Sequence, residues 1–211
     1  MKKYISKFHY LTQDLPDRSH IEQTEIACKA GANWIQYRCF SKNDDELISE
    51  LNHVASICDD WGATLILTDH YHLLDKVDAQ GVHIEEMNAD FEEVRNIISD
   101  EKTLGASANS ISEIRRAYTS GVVDYIGCGP FGHTDTKPND YPLLGIEGYR
   151  YIAEKMQQEQ INIPVMAVGG VTISDVEALL STGIYGIAVS AAVNLSEDAG
   201  TAIKGFYTRI Y

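Results

Sequence analysis

The chain has 211 residues, 44% hydrophobic and 23% charged, which suits one globular domain over residues 1–211 and excludes a disordered chain. A formal net charge of −14 and a pI near 4.8 argue against nucleic acid or an anionic membrane surface as partner, since both require a positive face. No apolar run approaches the length of a membrane span, and the opening residues lack the apolar core of a signal peptide, so a cytoplasmic protein is expected.

In chain order, amphipathic helical stretches repeatedly end at a glycine that leads into a short apolar strand. The pattern is clearest at Gly31, Gly62, Gly121 and Gly183, where the glycine suits a helix C-terminus and the strand that follows suits a helix-covered parallel sheet. Filling the gaps predicts eight strands, at 8–11, 34–37, 64–68, 81–83, 104–106, 125–128, 164–167 and 186–189. Eight β/α units predict a (β/α)8 barrel, with a doubly wound open sheet as the alternative. The chain is short for a fold of about 250 residues, so the loops must be lean and the 69–80 crossover only weakly helical. Cys28, Cys39, Cys58 and Cys128 lie far apart and make no metal or redox spacing, so they are expected as buried thiols.

Barrel chemistry gathers at the C-terminal ends of the strands. Those positions hold Gln36 and Arg38 after strand two, Thr68, Asp69 and His70 after three, and His83, Glu85, Glu86 and Asn88 on and after four. Strand five offers Ser107 and Asn109, and strand eight offers Val189 and Ser190. After strand six, small residues with Thr134, Thr136 and Lys137 supply close backbone approach, hydroxyl donors and a positive charge, the means to hold a phosphate. After strand seven, Gly169 and Gly170 precede a helical pattern over 175–180, and helix N-termini bind anions.

These residues resemble the thiamine phosphate synthases and their relatives the thiazole tautomerases, nearly end to end. The resemblance is carried by Ile35-Gln-Tyr-Arg38, Leu67-Thr-Asp69, Asp78-Ala-Gln-Gly81-Val-His83, Gly105-Ala-Ser107-Ala-Asn109, Val123 to Phe131, Thr134 to Lys137, Ile163 to Gly170 and Gly186-Ile-Ala-Val189. It implies a barrel that joins hydroxymethylpyrimidine pyrophosphate to thiazole phosphate, releases pyrophosphate, and uses magnesium. On that pattern Arg38, Ser107 and Lys137 match the pyrophosphate contacts, Asp69 a magnesium ligand, Gln36 a pyrimidine contact, and Thr134, Thr136 and Gly170 the thiazole phosphate site. Thr68, His83, Asn109, Gly169, Val189 and Ser190 are expected to complete the substrate wall.

The chain departs from the family pattern at several of these positions. Phe40 stands where the family usually has a lysine, with Lys42 two positions further on, and Glu85-Glu86-Met87-Asn88 replaces Gly-Gln-x-Asp. The second magnesium carboxylate thereby becomes the amide of Asn88, with Glu85 or Glu86 as a substitute from a shifted position. Ser190-Ala191 stands one register from the usual apolar residue and serine. Pro130 occupies the position of the tautomerase histidine, as in the synthases, while His133 lies three residues on and could serve in proton transfer. Synthase is therefore the first expectation, thiazole phosphate carboxylate tautomerase the second, and a non-catalytic phosphate-ligand-binding barrel the third. The oligomeric state stays open, a homodimer included.

Overall fold

The computed structural model describes residues 3–134 and 141–211. Eight parallel strands close into a barrel in sequence order: β1 (Phe8–Leu11), β2 (Trp34–Tyr37), β3 (Thr64–Thr68), β4 (Gly81–Ile84), β5 (Thr103–Ala108), β6 (Tyr125–Cys128), β7 (Val165–Val168) and β8 (Gly186–Val189). β8 pairs with β1 through Phe8–Ile187 and Tyr10–Val189, which completes the ring and rules out the open sheet. The expected bounds shift at three strands. β4 runs one residue further, through Ile84, and β5 extends to Thr103 and Ala108 because polar Thr103 and Ser107 belong to the strand. β7 starts one residue later than expected, at the residue after Pro164, whose carbonyl accepts from Ile126 but which has no N–H to donate.

The helices are α1 (His20–Lys29), α2 (Asp44–Trp61), α3 (Phe91–Ile98), α4 (Ile111–Ser120), α5 (Gly145–Gln158), α6 (Val176–Ser181), α7 (Ala191–Asn194) and α8 (Ala199–Ile210). Local sequence explains their ends. Ser19 with Glu22 and Asn43 with Glu46 form capping boxes at the starts of α1 and α2. Gly62 and Gly121 cap α2 and α4 at φ of 64° and 71°, a conformation that favours glycine. The β3–β4 crossover contains only one 3-10 turn, Tyr71–Leu73. No helix among the described residues is long and apolar enough to cross a membrane.

Both faces of the sheet are buried, as a helix-covered parallel barrel requires. Alternate residues of β2 illustrate this. Ile35 and Tyr37 pack outward with the helices, and Trp34 belongs to an inner cluster with Leu11, Ile66, Tyr125, Met166 and Ala188. His9 stacks on Trp34 at 4.3 Å and 9° between planes, and burial pushes its pKa well below the ordinary value, so the ring packs as a neutral aromatic.

The upper interior is filled by His83 and Tyr125, which fit because β5 and β6 carry glycines opposite them. A Cβ at Gly105 would lie 2.3 Å from Tyr125 Cζ and 2.6 Å from His83 Nδ1, and one at Gly127 would lie 3.1 Å from His83 Cε1. Gly105→Ala is accordingly expected to destabilise the fold by about 1–3 kcal/mol through overpacking, read as a lower urea midpoint at unchanged m-value. A midpoint equal to wild type would show that the interior can absorb a methyl group.

Candidate active site

The strands end around a cleft of about 540 Å³ at the C-terminal face of the barrel. Its walls come from the loops after β1, β2, β4, β5, β6, β7 and β8, so short strands pointing the same way suffice to gather these side chains. Of the predicted residues, Arg38, Ser107, Asn109, Thr134, Gly169, Gly170, Val189 and Ser190 line the cleft. Gln36, Thr68 and His83 lie beneath it, buried in the barrel, with Gln36 Nε2 donating to Thr68 Oγ1 at 3.0 Å. Thr136 and Lys137 lie outside the described residues.

Arg38 is the only Lys or Arg among the described lining residues, and Glu85 holds it. Arg38 Nε donates to Glu85 Oε1 at 2.8 Å and a terminal nitrogen donates to Oε2 at 3.2 Å, a bidentate pair with each side chain 14% exposed. Phe40 lies under the same guanidinium, with Arg38 Cζ 4.7 Å from its ring centroid. The residue that replaces the family's usual lysine thus steadies the arginine instead of adding a second charge.

Asp69 takes φ of 59°, rare for a residue with a side chain, and its Oδ1 accepts from Glu85 N–H at 2.7 Å. This turn sets the Asp69 carboxylate against the Glu85 backbone, and both residues carry oxygen donors of the kind that suits a hard divalent cation. Asn88 stands apart. It is exposed, does not line the cleft, and its N–H donates to the Glu86 carboxylate at 2.9 Å within the turn.

The loops after β6 and β7 are zipped together by backbone. Phe131 N–H donates to Val168 C=O and Gly132 N–H to Gly169 C=O, both at 2.9 Å. Gly169 and Gly170 have φ of 86° and 68°, and a Cβ at Gly170 would lie 2.5 Å from His133 O, so only glycine fits there. The helical pattern expected over 175–180 is present as α6, one residue later, but its N-terminus does not abut the glycines. The segment after Gly170 opens as the 3-10 turn Ile173–Asp175, capped by Thr172 and Asp175, before the six residues of α6. Anion contact on this wall therefore falls to backbone N–H groups beside the glycines. His133 is exposed at the cleft and Pro130 lines it.

Ser190 is already engaged: its hydroxyl donates to Gln13 Oε1 at 3.3 Å and accepts from Asn194 Nδ2 at 3.1 Å. Gln13, together with Leu11, is the contribution of β1 and its loop, which the sequence reading did not single out. Its signal is position alone, two residues beyond a strand end. Tyr141 and Met87 line the cleft without any sequence signal.

A second network fixes the loop that carries Arg38. Asp14 accepts from Ser41 Oγ at 2.8 Å and from Phe40 N–H at 3.1 Å, and pairs with His20 Nε2 at 3.1 Å. Thr12 Oγ1 pairs with His20 Nδ1 at 2.8 Å and accepts from Arg38 N–H at 3.0 Å. Burial opposes ionisation of Asp14, but the hydrogen bonds from Phe40, His20 and Ser41 outweigh it and hold the pKa near about 2. Cys39, Asp14 and His20 present ligand-capable atoms within 4.8 Å of one another, a convergence that cysteine spacing did not reveal. Hydrogen bonds within the two loops already occupy this set, which acts as a clasp between the β1 and β2 loops.

A closed (β/α)8 barrel with an arginine and a glycine-rich wall in a cleft at its C-terminal face has the organisation of a barrel enzyme acting on a small ligand. Residues 10–193 match the family model described as thiamine monophosphate synthase, and the chain belongs to that family. It is 35% identical over 198 residues to a thiamine-phosphate synthase of Phocaeicola vulgatus, covering 94% of this chain and 95% of that one. Identity to the thiamine-phosphate synthase of Flavobacterium johnsoniae is 32% over 206 residues, covering 98% and 97%. The structure of thiamine phosphate pyrophosphorylase from Pyrococcus furiosus superposes with a TM-score of 0.83 at 28% identity, covering 97% of this chain and 95% of that one.

The Arg38–Glu85 pair generates a prediction. Removing the carboxylate charge leaves the guanidinium to the ligand, so Glu85→Gln is expected to bind inorganic pyrophosphate about tenfold more tightly in metal-free buffer. Calorimetric titration checks this, and weaker binding by the variant would show that Glu85 supports the anion instead of competing with it.

Proposed function

We propose that this protein is a thiamine phosphate synthase, joining hydroxymethylpyrimidine pyrophosphate to thiazole phosphate with loss of pyrophosphate. The observation that carries the reading is that Arg38 after β2, Ser107 on β5, and Thr134, Gly169 and Gly170 on the β6 and β7 loops together form the walls of one cleft. One ligand with two anionic groups, or two ligands with one each, can be held between these walls. The identity to synthases over nearly the whole chain supports the same reading.

In this reaction the C–O bond to pyrophosphate breaks, the leaving group takes the electron pair, and the thiazole nitrogen bonds to the resulting pyrimidine methylene cation. The step asks for anion stabilisation more than for proton transfer. Arg38 and Ser107 supply hydrogen bonds to the departing pyrophosphate, while the backbone around Gly170 holds the thiazole phosphate in position for attack. Magnesium is the cofactor we propose. The oxygen donors of Asp69 and Glu85 fit it by chemistry, and when bound it would offset pyrophosphate charge. Asn88 is not grouped with them, so Glu85 is the better substitute for the missing carboxylate. We place the reaction in the cytoplasm and leave a homodimer as a proposal.

Incubating the protein with both substrates, with and without magnesium, tests the reading through chromatographic detection of thiamine phosphate. Magnesium-dependent product is expected, and Arg38→Ala is expected to lower kcat by about 10²–10³-fold. Absence of product with both substrates bound would overturn the synthase reading. Metal-free tautomerisation of thiazole phosphate carboxylate would replace it with the tautomerase.

A further inference from the structure

We propose that Tyr125 and His83 form a positioning pair that turns the Ser107 hydroxyl into a dedicated hydrogen-bond donor to an anionic ligand oxygen in the cleft. Three side chains from adjacent strands stand in line. Tyr125 OH lies 3.1 Å from His83 Nδ1, and His83 Nε2 lies 3.0 Å from Ser107 Oγ, which lines the cleft. Tyr125 sits at the bottom of this line and is 1% exposed.

The direction of the hydrogen bonds follows from the buried end. Tyr125 has one hydroxyl proton, and His83 Nδ1 is the one acceptor within its reach among the described residues. Burial pushes the Tyr125 phenol far above its ordinary pKa, so that proton stays on the oxygen. If Nδ1 carried a hydrogen instead, the ring would donate to the phenol and the phenol proton would be buried without an acceptor, an arrangement proteins avoid. Tyr125 therefore donates to Nδ1. A neutral imidazole has one donor and one acceptor, so the ring proton is on Nε2 and donates to Ser107 Oγ. With its oxygen accepting from the imidazole, the serine turns its own proton away from the barrel and toward the ligand space.

Such a serine donates and does not abstract protons, which matches a phosphate-type ligand and not a nucleophilic mechanism. The glycines opposite the pair keep the line straight, since a Cβ at Gly105 would collide with both rings. Tyr125 thus exceeds the core role that its apolar strand suggests, although it does not line the cleft.

This inference rests on the proposed function for the identity of the anion, so two measurements separate the claims. Long-range proton–nitrogen correlation spectra of the 15N-labelled wild-type protein report the His83 tautomer directly. A hydrogen on Nε2 is expected, and one on Nδ1 would overturn the proposal without any variant having to fold. The second measurement is calorimetric titration of inorganic pyrophosphate with magnesium against wild type, Ser107→Ala, Tyr125→Phe and the double variant. Ser107→Ala is expected to weaken binding about tenfold and Tyr125→Phe about threefold to tenfold, with the double variant no weaker than Ser107→Ala. Losses that add in the double variant would show that Tyr125 acts independently of the serine and would overturn the positioning role. Failure of the wild-type protein to bind pyrophosphate would count against the synthase reading alone, because the tautomer measurement still decides the inference.

Discussion

The lack of room for a methyl group at Gly105 is the constraint on which the upper half of this barrel depends. Parallel strands fill their interior with side chains in layers, and here that layer is made of rings. His83 and Tyr125 reach across space that Gly105 and Gly127 leave open, and Tyr125 meets Trp34 edge-on below at 5.6 Å. Apolar packing beneath and hydrogen bonding above thus share one aromatic residue. Two polar pairs under the cleft are hydrogen-bonded, Gln36 with Thr68 and His83 with Ser107. Buried networks of this kind rigidify a site when their members are satisfied.

The cleft walls inherit that rigidity by two different routes. On one side the β6 and β7 loops share backbone hydrogen bonds at a separation only glycine allows. On the other, Asp14 and His20 clasp the loop of Arg38 from the preceding β1 loop. The first wall offers backbone donors and cannot adjust. The second presents a long side chain whose direction is set by Phe40 and Glu85. Phosphate binding and leaving-group stabilisation, on the proposed function, therefore fall to walls of different stiffness.

The strands were legible because each is a short apolar run between a helix-ending glycine and a polar strand end, a pattern that local sequence carries by itself. The site was legible where barrel geometry converts position into exposure at one face, as for Arg38, Ser107 and Gly170. What sequence could not carry were relations between separate loops. The Arg38–Glu85 pair joins residues 47 apart, and the clasp joins Asp14 to Ser41. Tyr125 reads as core on any hydropathy pattern, and only the position of its hydroxyl shows otherwise. The helix expected over 175–180 is present one residue later, and what the local pattern did not show is the 3-10 turn that Thr172 and Asp175 close between it and Gly170.

Two departures from the family pattern that look independent in sequence are one change in space. A lysine at position 40 would stand close to Arg38 and repel it, whereas Phe40 presents a ring face to the guanidinium. Without that second cation, Arg38 can accept a carboxylate partner without leaving another positive charge exposed, and Glu85 takes the place. The exchange of a lysine for phenylalanine and of a glycine for glutamate moves the cleft toward negative charge, in a chain already at −14. A pyrophosphate entering such a cleft meets more repulsion than in a relative with the lysine. On the proposed function a divalent cation beside Asp69 and Glu85 would offset part of that charge, alongside Lys137, the cation that the sequence assigns to the pyrophosphate and that lies outside the described residues.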